Sequence, residues 1–126
     1  MPERTITIPR VPQSLNRMER MHWAKWNREK REWIHDIFYL VKEQGRALPR
    51  NLDHITIKKI VIYFDKIRNR DESNFEPMII KPFADALVQA GIIPDDTAEY
   101  IKRPGKVDIE IDRKKPRTEV MVEWKT

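Results

Sequence analysis

Three features of the sequence predict a single α+β domain over residues 1–126, in β-α-β-α-β-β order, with one mixed sheet packed on a long helix. The run Ile55–Phe64 is dominated by β-branched residues, the composition of a long strand. Two stretches, 23–44 and 75–90, instead repeat apolar residues at helical spacing. Short segments of alternating polar and apolar residues stand near both ends of the chain.

Taken in order, Thr5-Ile6-Thr7-Ile8 reads as a strand with one buried face, closed by Pro9 and Pro12. The following loop, Val11 to Arg17, is biased to extended or turn geometry by its proline. From Trp23 to Gln44, Trp26, Trp33, Ile37 and Val41 form an apolar stripe, widened by Ile34, Phe38 and Leu40. Trp26 and Trp33 read as core rather than as base-stacking platforms; Trp23 stays open between the two. Gly45 is placed to cap the helix. Lys25, Arg28, Lys30 and Arg31 lie on its polar side, and residues 10–31 hold seven bases against two acids.

After the strand Ile55–Phe64, Lys66, Arg68 and Arg70 make a basic loop that leads into Asp71. Asn74 is a suitable N-cap for the next helix. Pro82 predicts a break or kink, because proline deep in a helix clashes with the carbonyl four residues back. The expectation is a short helix from Phe75 to Ile80 and a second from Pro82 to Ala90, stopped by Gly91 with Ile92 as the apolar contact of the cap. Val107, Ile109 and Ile111 then alternate over Lys106–Asp112, and Val120, Val122 and Trp124 over the last strand. The two are expected to pair as an antiparallel hairpin around the basic turn Arg113 to Arg117.

Composition narrows the function. The 126 residues are 40% hydrophobic and 36% charged, with a net charge of +5. That fits one folded core and a polyanionic partner, DNA or RNA. With no cysteine there is no disulfide or thiolate zinc site, and His22, His35 and His54 lack zinc-motif spacing. No apolar stretch near the start reads as a signal peptide or membrane span, so a cytoplasmic protein is expected.

Against the basic background stands one acidic island. From Asp71 to Glu99 there are seven acids (Asp71, Glu72, Glu76, Asp85, Asp95, Asp96 and Glu99) and one base, Lys81. The window is −6, leaving +11 for the rest of the chain. Carboxylates hold Mg²⁺ while Lys and Arg hold phosphates, so metal ions set against a polyanion are the expectation. A solvated acidic helix face is the competing one. Placement separates them, since Asp71, Glu72, Ser73 and Asn74 precede the helical run and Asp95-Asp96 follow its glycine stop, where carboxylates can converge on a cleft.

These residues resemble the RusA family of Holliday-junction resolvases, endonucleases common in phages and prophages, nearly end to end. The loop Pro12-Gln13-Ser14-Leu15-Asn16-Arg17 is similar to the family's Pro-Ser-x-Asn-Arg loop. Asp71-Glu72-Ser73-Asn74, Lys81, Asp85-Ala86-Leu87, Gly91 and Asp95-Asp96 resemble its signature of Asp-x-Asp-Asn, Lys, Asp-Ala-Leu, Gly and Asp-Asp. The resemblance implies that Asp71 and Asp96 are metal-binding catalytic acids, with Asp95 beside them, and that Lys81 is a catalytic base or phosphate contact. It implies Mg²⁺, with Mn²⁺ as substitute, and a four-way junction as substrate; the near two-fold symmetry of such a junction and its need for two cuts make a homodimer the expectation. Asn16, Arg17, Lys25, Arg28, Lys66, Arg68 and Arg70 are the expected DNA contacts. Two departures stand out: Ser73 replaces the second Asp, and the Asn-to-Lys interval is longer than the commonest form. Glu72, Asn74, Asp85 and Ser73 itself are the auxiliary candidates.

Two other functions compete: a junction-binding protein whose catalysis is weakened or lost at Ser73, and a metal-dependent nuclease or phosphatase of another specificity, RNA being one substrate. There is also a geometric conflict. About sixteen residues of unbroken helix between Asp71 and Asp96 would span some 24 Å, too far for one ion. Either a break at Pro82 folds the chain back, or a dimer places Asp71 of one chain beside Asp96 of the other.

Overall fold

A computed structural model describes residues 2–14, 22–68, 70–104 and 106–125. The elements are β1 (Glu3–Ile8), α1 (Trp23–Gln44), a 3-10 turn (Gly45–Ala47), β2 (Ile55–Phe64), a second 3-10 turn (Glu72–Asn74), α2 (Glu76–Gln89), β3 (Ile101–Lys102), β4 (Asp108–Ile111) and β5 (Arg117–Trp124). The fold is α+β with one mixed five-stranded sheet, as expected. The two-residue β3 is an addition, too short to leave a periodic trace.

β2 is the organising strand. Its β-branched residues favour extended backbone, and its bulge between Ile57 and Lys59 puts two consecutive lysines, Lys58 and Lys59, on the exposed side. β5 pairs antiparallel along one edge of β2, while β3 and β4 pair parallel with the other. β1 extends the sheet beyond β5. The expected hairpin between the last two strands is therefore wrong, because β2 lies between them. A chain that leaves β2 and returns through a helix re-enters the sheet in the same direction, so β4 takes a parallel place beside β2. The following link passes the end of β2, where the Asp112 N–H donates to the Phe64 carbonyl at 2.8 Å. β4 is also shorter than expected, and Ile111 is exposed at its end.

Both helices belong to one apolar cluster with the inner face of the sheet. Ile6 and Ile8 of β1, Ile55, Ile57, Ile60 and Ile62 of β2, and Val120 and Val122 of β5 meet Trp33, Ile37 and Val41 of α1 and Ile79, Phe83 and Leu87 of α2. The alternation read in β5 matches its strictly alternating burial. Gln44, in the last turn of α1, accepts from the Thr7 N–H at 2.8 Å and donates to its carbonyl at 2.7 Å. It thereby satisfies backbone groups of β1, which among the described residues pairs in the sheet with β5 alone. On the outer face, Lys58 pairs with Glu3 (3.0 Å) and Glu123 (3.4 Å), and Arg117 with Asp112 (2.8 Å) and Glu119 (3.1 Å). Those bases are matched by acids within the sheet and leave the outer face a poor phosphate surface.

The expected break at Pro82 does not occur, and α2 is continuous through it. The reason is tertiary. Pro82 has no N–H, so the Met78 carbonyl four residues earlier loses its helical donor. The Trp33 indole N–H of α1 donates to that carbonyl instead, at 2.5 Å. Proline's missing bond becomes the point at which the two helices are tied. Gly91, at φ +75°, ends α2 as expected: its N–H donates to the Val88 carbonyl, and the Ile92 N–H to the Leu87 carbonyl, both at 3.0 Å. Gly45 is the C-cap of α1 as expected, its N–H donating to the Val41 carbonyl. Its φ of −77° needs no glycine, but a Cβ there would lie 3.1 Å from Ile92 Cδ1, so close packing favours the small residue.

Candidate functional site

Asp71 stands at the exit of β2. The loop before it is pinned to the sheet by Arg70, whose guanidinium lies 3.8 Å from the centre of the Phe64 ring and donates to the Lys66 carbonyl at 2.8 Å. Phe64 in turn packs on Phe75, with ring centres 5.2 Å apart. Asp71 takes the capping role expected of Asn74. Its Oδ1 accepts from the Ser73 N–H at 3.0 Å and from the Ser73 hydroxyl at 2.8 Å, starting the 3-10 turn. Asn74 lies inside that turn, and Phe75 precedes α2 without a side-chain cap. The Ser73 hydroxyl, followed by its N–H, holds the Asp71 carboxyl below the usual carboxylate range. Ser73 thus acts on Asp71 as a donor. Glu72 takes no part in an ion pair with a described residue.

Lys81, Asp85 and Asp96 converge. Lys81 Nζ lies 2.6 Å from Asp96 Oδ2 and 3.0 Å from Asp85 Oδ1. Asp85 is one helical turn along α2 and is expected from sequence spacing. Asp96 is not, being fifteen residues away. It arrives because Gly91 reverses the chain and two bonds hold the return: Asn51 N–H to the Gly91 carbonyl (3.0 Å) and Leu52 N–H to the Ile92 carbonyl (2.8 Å). Asp95 Oδ1 accepts the Asp96 N–H at 2.8 Å and fixes the turn that presents Asp96. The Lys81 ammonium holds the Asp96 carboxyl below its ordinary range, and Asp96, then Asp85, push Lys81 up. A lysine held protonated between two carboxylates is suited to a phosphate contact or to offsetting negative charge, and poorly suited to acting as a base.

The return after Gly91 changes the geometric conflict. α2 rises about 21 Å over its fourteen residues. Asp96 nevertheless lies beside Lys81, only five residues (about 7.5 Å of rise) into the helix. Asp96 therefore returns to the first half of α2 within one chain, by a turn at Gly91 and not by a break at Pro82. No ion pair joins Asp71 to Lys81 among the described residues, and no group of three or more His, Asp or Glu is arranged to hold a metal among them. The acids form two stations, Asp71 with Ser73, and Asp96 with Asp85 and Lys81.

The expected DNA contacts divide. Asn16 and Arg17 lie outside the described residues. Lys25 and Arg28 lie on α1, and Lys66 and Arg68 are exposed in the loop after β2; none has an acidic partner among the described residues. Arg70 is partly buried against Phe64 and is committed to the loop. Sequence reading missed His54, Lys102 and Arg103, which line with Asp96 a groove of about 700 Å³. They meet because β3 pairs with the start of β2, Ile55 opposite Ile101, a contact that no local pattern announces. Trp33 is buried at 3% exposure and Trp26 half-buried against the core, as expected, whereas Trp23 is 71% exposed. Among the described residues no helix is long and apolar enough to cross a membrane.

Compared with known proteins, the chain matches no family model and no curated protein.

Proposed function

We propose that this protein is a Mg²⁺-dependent endonuclease that hydrolyses a phosphodiester of branched DNA, a four-way junction being the preferred substrate, as in the RusA family it resembles. The observation that carries the reading is the meeting of three signature positions: the chain reversal at Gly91 brings Asp96 onto Lys81, which helical spacing already pairs with Asp85. Acting on DNA, it would work in the cytoplasm of a bacterial or phage-infected cell.

The donor set fits a hard cation. Asp96 and Asp85 already share one, the Lys81 ammonium, and Mg²⁺ needs only one or two protein carboxylates when water and substrate phosphate fill its other places. By the resemblance, Asp96 and Asp71 would hold it, with Asp85 and Asp95 beside Asp96; Mn²⁺ would serve in its place. When bound, the metal activates water and offsets charge on the transferring phosphoryl group. Lys81 holds a proton at Nζ and places positive charge beside the non-bridging oxygens. Asp95 holds the turn that presents Asp96, and Ser73 keeps Asp71 ionised. Lys25, Arg28, Lys66 and Arg68 supply phosphate contacts for the arms. A two-fold dimer matches the approximate two-fold symmetry of a four-way junction and its need for two cuts.

Incubation with a labelled synthetic four-way junction, with and without Mg²⁺ and beside linear duplex, is the test. Metal-dependent nicking near the branch is the expected result, and intact DNA under all conditions would defeat the reading. A second reading has its own support: Ser73 is a hydrogen-bond donor to Asp71 where the signature carries an acid, leaving a protein that binds junctions and cuts poorly. Ser73→Asp addresses both. It should lower the Mg²⁺ concentration needed for half-maximal rate, and an unchanged requirement would place residue 73 away from the metal.

A further inference from the structure

Beside the Lys81–Asp96 pair, between α1 and α2, lies a cleft of about 340 Å³. Its walls are Trp26 and Ile34 from α1 and Pro77 and Pro82 from α2, with Lys30, Lys81 and the Lys81 partner Asp85 at the charged edge, where Lys30 is the base without an acidic partner among the described residues. It is largely apolar, at the small end of the roughly 300–1,000 Å³ typical of ligand sites. Lys30 Nζ rests 4.7 Å from the centre of the Trp26 ring. Neither Lys30 nor the α1 bases Lys25 and Arg28 has an acidic partner among the described residues. On the other side of Asp96, the groove lined by His54, Lys102 and Arg103 carries basic side chains on a largely apolar floor that includes Ala98 and Ile101. The reacting pair thus divides an apolar cleft with an aromatic wall from a basic track.

We propose that the cleft binds one unpaired nucleobase next to the phosphate held at Lys81 and Asp96, and that the strand continues along the groove of His54, Lys102 and Arg103. This inference rests on the nuclease reading and specifies the substrate: the strand is unstacked at the point of attack. A flat base brings apolar faces that match the apolar walls of the cleft. It stacks on the Trp26 indole, for which every base has a suitable face. The Lys30 ammonium gives up one ring and gains the phosphate of the same nucleotide, so the cleft's charge complements a nucleotide and not a bare apolar ligand. Paired duplex cannot fill the cleft without opening, which gives the site a reason to prefer branch points over linear DNA.

The test is binding in EDTA, with cleavage followed separately in Mg²⁺. The probe is a splayed duplex carrying 2-aminopurine as an unpaired base at the fork; the control is the same base in fully paired duplex. The wild-type protein should bind the splayed probe about tenfold more tightly than the paired one and change its fluorescence, the scale of one base–aromatic stack. Trp26→Leu keeps apolar bulk without the stacking face, and Ile34→Phe fills the cleft while adding core contact. Each should remove the preference and leave affinity for paired duplex unchanged. Ile34→Phe settles the matter should Trp26→Leu fail to fold. Preference retained in Ile34→Phe, equal loss for both probes, or no preference in the wild type would overturn the cleft proposal. Base preference without cleavage in Mg²⁺ would overturn the nuclease reading alone, and cleavage without base preference the cleft alone.

Discussion

Asp96→Asn should reduce junction cleavage by roughly a hundredfold or more, while junction binding is kept or tightened. The substitution is nearly isosteric and lies on an exposed turn, so the fold is retained. What it removes is the charge that holds Lys81 at 2.6 Å and would hold the metal. Loss of one group aimed at developing charge commonly costs a factor of about 10² to 10³ in rate. Binding moves the other way because one negative charge near the phosphates disappears. Asp71→Asn should behave alike, and full activity in either variant would sink the assignment. Mixing the two inactive chains asks whether the site is shared. Because the turn at Gly91 returns Asp96 to Lys81 within one chain, every site in the mixture carries a lesion, and nicking should not return. Recovered activity would instead show that Asp71 of one protomer works beside Asp96 of its partner.

Trp33→Phe should destabilise the fold by about 1–3 kcal/mol beyond the small change in apolar area, the cost of an unsatisfied buried carbonyl. The Met78 carbonyl has lost its helical donor to Pro82 and depends on the indole N–H. The diagnostic is the background. Pro82→Ala restores a backbone N–H at that position, which can serve the Met78 carbonyl. In that chain the same Trp33→Phe change should cost markedly less, with a coupling of about 1 kcal/mol or more. Urea denaturation of the four proteins measures it. Equal costs in both backgrounds would mean that Trp33 stabilises only by packing. The cycle also bears on the site, since Lys81 lies beside Pro82 and any kink there would carry Nζ away from Asp96.

Much of this protein follows from its sequence because the forces involved are local. β-branched density sets Ile55–Phe64 as a strand, and helical spacing sets α1 from Trp23 to Gln44 with the bounds it has in the fold. Gly91 stops α2 because a backbone at φ +75° suits glycine, and the alternation of β5 gives its buried face. The acidic residues of the site were legible by type and by their places at element ends. Tertiary structure decided the rest, where a residue's partner is distant along the chain. Alternation in β4 showed a strand but not its neighbour, since a face does not encode which edge it joins. Pro82 has the chemistry of a break, and only an indole from another helix, 45 residues away in sequence from the carbonyl it serves, makes it an interior residue. Lys81 announces Asp85 through helical spacing, whereas Asp96 reaches it through backbone bonds from Asn51 and Leu52 to the chain after Gly91, a closure that no periodicity contains.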